Sequence, residues 1–302
     1  MVYTGPLIDA HHHLWDLSMD RHPWLRLGGG PTALGDLAYL RHDYLPEDYL
    51  RDSAGVDVAA TVCIEALWDR AHDPDEEIAW LDGLDRPERV ATRYVAAADF
   101  AAPDAAARLR RLAAHPRVAG VRQAVRWHPD PARSWASRDL MDGPAWRQGA
   151  AGLAREGLVL ELLMSPWQAK AVHRLASDLP DLTIVVNHCS SPIDRDAEGL
   201  DRWRRGLEAM AEAPNVHLKL SNFVAYAENP SLDAARAVLL ACLDAFGARR
   251  CLWGSEYPVA RKMMSYQGVT DLFRRAIGIL PDADQAVILF GNAARLYRLT
   301  TP

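Results

Sequence analysis

Eight short apolar runs, each followed by a longer amphipathic stretch, constrain the fold of this chain more than any other feature. The runs fall near residues 7–10, 59–65, 92–98, 118–123, 158–163, 183–188, 215–220 and 250–255. Between them, apolar residues recur at helical spacing over 74–84, 103–114, 144–156, 166–179, 200–212, 232–246 and 270–279. A last helix, 282–297, closes the chain. Several of these helices open on proline, whose fixed φ and missing N–H suit the first turn. Runs too short and too apolar to keep a wet face, alternating with helices, predict a parallel sheet covered by helices. Eight such units close on themselves, so the expected fold is α/β, a (β/α)8 TIM barrel. The 302 residues suit one such barrel, and a single domain over 1–302 is expected.

The spacing between the first two runs is uneven. About residues 14–56 intervene, with Trp24, a Gly28-Gly29-Gly30 turn and Leu45-Pro46-Glu47-Asp48, and read as a long loop insertion with a short helix. A second long loop, 126–143, is rich in Pro, Trp, Arg and Asp. Strand-to-helix loops build the active face of a barrel, so both are expected to wall the site.

Composition narrows the function classes. Hydrophobic residues make up 49% of the chain, enough for a large core and too many for disorder. A net charge of −6 gives no footing for nucleic acid or an anionic membrane. No run is long enough to span a bilayer, and no basic stretch precedes an apolar one at the N-terminus. Cys63, Cys189, Cys242 and Cys251 lack metal-finger spacing and read as buried reduced thiols. A cytoplasmic enzyme acting on a small molecule is the expectation; whether it forms a homo-oligomer is left open.

The chemistry is concentrated where the runs end. Ile8-Asp9-Ala10-His11-His12-His13 finishes the first run, and strand alternation puts His11 and His13 on one face with His12 turned away. Two imidazoles at one strand end can hold a divalent metal, or a substrate carbonyl and a water. The remaining runs end on Glu65, Asp99, Arg122 and Gln123, Glu161, His188, Lys219 and Glu256. Acids, bases and imidazoles gathered at one barrel mouth are what general-base or metal-assisted hydrolysis requires. Glu256 is the candidate base, with His188, His11 and His13 binding a metal or polarising a carbonyl. Arg122, Arg126, His128 and Lys219 are candidates for an anionic or hydroxyl-rich substrate. Glu65 and Glu161 either face substrate or pair with a neighbouring cation, and Trp127 is expected in the pocket wall.

Taken in order, Asp9-Ala10-His11-x-His13-x-Trp15, Gly120-Val121-Arg122-Gln123, Trp127-His128-Pro129-Asp130, Asn187-His188, Lys219-Leu220-Ser221, Gly254-Ser255-Glu256-Tyr257-Pro258 and Gly291-Asn292-Ala293-Ala294-Arg295 form one set. The set resembles the second amidohydrolase-related family, in its sugar-lactone and dicarboxylate-lactone hydrolase branch, from end to end. The resemblance implies a distorted (β/α)8 hydrolase whose first-strand pair is His11 and His13. It places the sixth-strand histidine at His188 and the eighth-strand acid at Glu256. It leaves open one divalent metal, Zn2+ or Mn2+, held by His11, His13, His188 and Glu256, or none. Two departures matter. The eighth-strand acid is Glu where active members carry Asp, and the fifth strand lacks the histidine of binuclear and decarboxylating relatives. The implied reaction is hydrolysis of a lactone or related cyclic ester. The alternatives are non-oxidative decarboxylation of an aromatic or muconate-like acid, and a specialised biosynthetic role.

Overall fold

The computed structural model describes residues 1–28, 35–69, 71–226 and 229–300. Eight strands form one all-parallel sheet in sequence order: β1 (Leu7–His12), β2 (Val58–Ile64), β3 (Arg93–Ala97), β4 (Val118–Ala124), β5 (Val159–Leu163), β6 (Ile184–Val186), β7 (Val216–Leu220) and β8 (Cys251–Trp253). The helices are α1 (Pro46–Asp52), α2 (Asp75–Gly83), α3 (Ala105–Ala114), α4 (Pro144–Glu156), α5 (Ala169–Asp178), α6 (Ala197–Ala211), α7 (Leu232–Phe246), α8 (Tyr266–Ile277), α9 (Asp282–Ala286) and α10 (Asn292–Leu296). The barrel predicted from alternation is therefore the observed architecture. Of the Gly28-Gly29-Gly30 turn expected in the first long loop, Gly29 and Gly30 lie outside the described residues.

Differences from the expected boundaries have local causes. Helix α8 starts at Tyr266, four residues early, because the Ser265 hydroxyl accepts the Gly268 N–H. Helix α6 starts at Ala197, where the Asp196 carboxylate accepts the Gly199 N–H. The final helix is not continuous: a π-helical turn, Val287–Gly291, separates α9 from α10. No helix among the described residues is long and apolar enough to cross a membrane. All four cysteines are buried and unbridged.

Two apolar layers hold the barrel. An inner cluster joins Ile8, Ala10, Val62, Val95, Val185 and Leu252, with Leu296, Tyr297 and Leu299 at the C-terminus packed against it. The outer layer lies between strands and helices and contains Leu7, Val121, Leu160, Leu218 and Trp253. On β1 the inward residues are thus Ile8 and Ala10, even numbers, although the site residues above them are odd. The pairing of β1 with β2 shifts between Asp9 and His12, and that irregularity changes the phase. His11 and His13 turn to the mouth, while His12 bonds the Thr61 hydroxyl at 2.8 Å and lies against Tyr49.

The seam between β8 and β1 is closed beyond the end of β8. Glu256 N–H donates to His11 O at 2.7 Å, and His13 N–H donates to Tyr257 O at 2.9 Å. Gly254 permits the approach, since a Cβ there would meet His11 Cβ at 2.6 Å.

Candidate active site

The C-terminal ends of β1, β6 and β8 bring His11, His13, His188 and Glu256 together. Glu256 Oε2 lies 2.9 Å from His11 Nε2 and 3.8 Å from His13 Nε2, and Oε1 lies 3.5 Å from His188 Nε2. The His11 ring centroid is 5.1 Å from that of His13 and 4.7 Å from that of His188. All four side chains are buried. His13 Nδ1 donates to Ile64 O at 2.9 Å, which fixes its tautomer and leaves the Nε2 lone pair facing the carboxylate. His188 Nδ1 is 2.8 Å from the Ser221 hydroxyl.

The backbone at two of these residues is held in a conformation that non-glycine residues rarely adopt. Glu256 has φ of 60°, and His188 through Ser191 form an unbroken left-handed stretch with φ between 49° and 61°. Such residues cost on the order of 1 kcal/mol or more each and persist where surrounding structure dictates them. Both strands stop short of these residues: β6 ends at Val186 and β8 at Trp253.

Charge in the site follows from burial. His11, His13 and His188 are held well below the ordinary imidazole range, first by burial and then by the cations around them, so they are neutral at pH 7. Burial pushes the Glu256 carboxyl up to about 8, against the pull of Arg122 and Lys219. His11 Nε2 and Glu256 Oε2 are buried and 2.9 Å apart, yet neither has a hydrogen-bond partner, because their approach is not aligned with a ring N–H. Ligand atoms of His11, His13 and Glu256 lie within 4.8 Å of one another. Neutral imidazoles and a carboxylate oxygen, facing one point and unpartnered, form a donor set that fits a divalent ion such as Zn2+.

Below this cluster lies a buried ion pair. Lys219 Nζ donates to both Glu161 oxygens at 2.8 and 2.7 Å and to Ala10 O at 2.8 Å. Asn187 Nδ2 and the Tyr297 hydroxyl also donate to Glu161, at 2.7 and 2.5 Å. His217, one turn of the pleat below Lys219, is buried without contact to the four-residue cluster. Beside the cluster, Arg122 Nε donates to Glu65 Oε1 at 2.6 Å and its NH2 group to Glu65 O at 2.5 Å. Glu65 and Arg122 also line an open cavity of about 670 Å3, walled by Trp24, Trp68 and Trp135.

The other sequence candidates stand apart. His128 is pinned between Asp194, 3.0 Å from Nε2, and the Asp130 N–H, 2.9 Å from Nδ1. Trp127 is half-buried, its N–H bonded to Gln168 and its carbonyl to Ser165. Arg126 is buried near His188 and over the Trp135 ring. The sequence did not flag Asp9 or Ser221 as working parts. Asp9 Oδ1 accepts the His11 and Ser255 N–H groups, and Oδ2 accepts the hydroxyls of Tyr49, Ser255 and Tyr266. Its place inside a strand otherwise apolar up to the histidines was the available signal, since a buried carboxylate needs partners.

Comparison with known proteins places the chain among amidohydrolases. The amidohydrolase family model matches residues 8–299. An uncharacterized protein, y4mH, of Sinorhizobium fredii is 31% identical over 294 residues, covering 97% of this chain and 98% of that one. An L-fucono-1,5-lactonase of Burkholderia multivorans is 28% identical, covering 98% and 97%. A crystal structure of an amidohydrolase from B. multivorans with bound HEPES superposes with a TM-score of 0.81 at 27% identity, over 98% of this chain and 100% of the other. A second crystal form, with bound zinc, gives 0.80 at 26% identity over the same shares.

Proposed function

We propose that this chain, which belongs to the amidohydrolase family and is a hydrolase, opens a lactone or related cyclic ester by adding water to its carbonyl. The observation that carries the reading is one buried carboxylate, Glu256, facing three neutral imidazoles at the barrel mouth. The lactonase name of the Burkholderia relative supports a cyclic ester as substrate.

The two oxygens of Glu256 face different groups. Oε2 lies with His11 and His13, which would hold a divalent ion together with it. Such an ion supplies Lewis-acid polarisation of the lactone carbonyl. Oε1, on the side of His188, takes the proton of the attacking water as its oxygen bonds the carbonyl carbon, in the ionised form of the carboxyl that a divalent cation held at Oε2 would favour. His188 lies 2.8 Å from the Ser221 hydroxyl through Nδ1; in the tautomer where that hydroxyl donates, the imidazole carries its proton on Nε2 and donates it as a hydrogen bond to the developing oxyanion. The bond between the carbonyl carbon and the ring oxygen then breaks. Glu256 returns its proton to that oxygen, giving a hydroxy acid. The Lys219–Glu161 pair beneath acts on position rather than on protons, fixing β1 through Ala10 O. Arg122, clamped to Glu65, borders both the cluster and the cavity and is placed to donate to substrate hydroxyls with its remaining N–H groups.

A pH-indicator screen over sugar lactones and carboxylate-bearing lactones, with and without Zn2+ or Mn2+, tests the reading. Glu256→Gln should lose about a thousandfold in kcat with its circular dichroism unchanged, the scale of a general base. Near wild-type turnover in that variant, or no lactone turned over by the parent, would sink the assignment.

A further inference from the structure

Three cations surround the site, and two of them already have an anion. Arg122 is bonded to Glu65 and Lys219 to Glu161, at 2.6 to 2.8 Å. Arg126 is different. It is only 7% exposed, yet it has no carboxylate within ion-pair distance and no side-chain hydrogen bond among the described residues. Its Nε is buried without a partner. The guanidinium carbon lies 5.9 Å from the centre of the Trp135 ring, which lines the cavity. The residue follows β4, which ends at Ala124, and so lies at the C-terminal end of that strand. Arg126 therefore stands at the barrel mouth beside the tryptophan-walled cavity.

A lone buried cation is expensive, and removing it from water without an anion costs several kcal/mol by general estimates. Beyond the Trp135 ring, which offers a π face but no anion, nothing described in the protein compensates it, so the missing anion comes from outside. We propose that Arg126 receives a carboxylate of the substrate, so that the ester hydrolysed is a lactone acid rather than an uncharged sugar lactone. The planar fork of the guanidinium suits both oxygens of a carboxylate. With the reacting carbonyl at Glu256, that carboxylate projects from the ring towards Trp135. An uncharged lactone would leave the guanidinium buried and unpaired in the complex. This inference rests on the lactone reading above and narrows its substrate.

The test uses matched pairs that differ only at C6. D-Glucono-1,4-lactone carries CH2OH there and D-glucaro-1,4-lactone carries a carboxylate; the galacto pair is run alongside. The wild-type enzyme should favour the acid in kcat/KM by about ten- to hundredfold, the worth of one charge-assisted contact. Arg126→Gln should collapse that ratio towards one, and Arg126→Lys, which keeps the charge and loses the fork, should fall between. The unfolding midpoint separates a binding role from a structural one. Arg126→Leu should be as stable as the ligand-free parent or more so, whereas a guanidinium that held the fold together would lower it. Equal ratios in parent and Arg126→Gln, or a preference for the neutral lactones, overturn the proposal. Calorimetric titration with D-gluconate and D-glucarate separates its failure from failure of the lactone reading. If no lactone is hydrolysed but glucarate binds at least about tenfold tighter than gluconate only when Arg126 is present, the anion site stands and the reaction assignment falls. If neither acid binds, or both bind alike, the anion site falls.

Discussion

Glu77 on α2 is buried beside the Glu65–Arg122 pair and accepts the Ala66 N–H at 2.8 Å. Burial first, and then the negative charge of Glu65, push its carboxyl up to about 8. The sign of its effect on stability follows. A carboxyl whose pKa is higher folded than unfolded binds its proton more tightly in the native state. Stability from this group is complete below its unfolded value of 4.5 and is lost as pH rises through about 8. Glu77→Gln keeps an oxygen for the Ala66 N–H and removes the ionisation. Its unfolding midpoint should therefore pull ahead of the parent between pH 6 and 9, with the two closest at the acidic end. A constant gap across that range would show that the native fold does not hold the Glu77 carboxyl protonated as its surroundings imply. Position 256 makes a related point about a single methylene. A glutamate with φ of 60° reaches both the His11–His13 side and His188 with its two oxygens.

Elements meet at the mouth because the seam between β1 and β8 is tied by side chains as well as by backbone. Asp9 bonds the backbone of β1 at His11, the backbone and hydroxyl of Ser255 after β8, Tyr49 of α1 and Tyr266 of α8. Asp9→Ala strips five donors of their acceptor in a buried place. At roughly 1–3 kcal/mol for each group left unsatisfied, a loss of about 3 kcal/mol or more is expected. Denaturant unfolding measures it, and a change under about 1 kcal/mol would mean that these donors find other partners. This junction also marks what was legible in the sequence. The eight strands were readable because buried parallel strands are short apolar runs, and His11, His13, His188 and Glu256 because polar residues ending such runs stand out. The change of phase within β1 was not readable: it arises from pairing with β2, and strict alternation from Ile8 would have sent His11 outward. Likewise, partners such as Glu161 and Lys219, or Glu65 and Arg122, are distant in sequence and meet only through register. For that reason the isolation of Arg126 could not be seen either. A cation without a partner is visible only once every other pairing is known.

The whole barrel is closed at the residues that form the histidine–glutamate cluster of its mouth. His11 and His13 belong to the end of the first strand, and Glu256 follows the last, so the donor set His11, His13 and Glu256 spans the seam where the chain returns on itself. Apart from backbone bonds and Asp9, that seam is held there by neutral imidazoles facing a carboxylate that burial pushes towards protonation. A divalent ion drawing all three donors inward would fasten first strand to last, and its binding free energy would become folding free energy. The effect belongs to the molecule, because opening this seam opens the sheet. At a free Zn2+ concentration a hundredfold above Kd, linkage gives about 2.7 kcal/mol, or on the order of 5 °C in the unfolding midpoint of a chain this size. Protein stripped with a chelator should melt lower by that amount and recover when Zn2+ or Mn2+ is restored, while His11→Ala should show no response. A shift of the same size in His11→Ala would place the ion elsewhere. Equal midpoints for stripped and restored parent would mean that the three donors work on the substrate alone, with the seam held by Asp9 and the backbone.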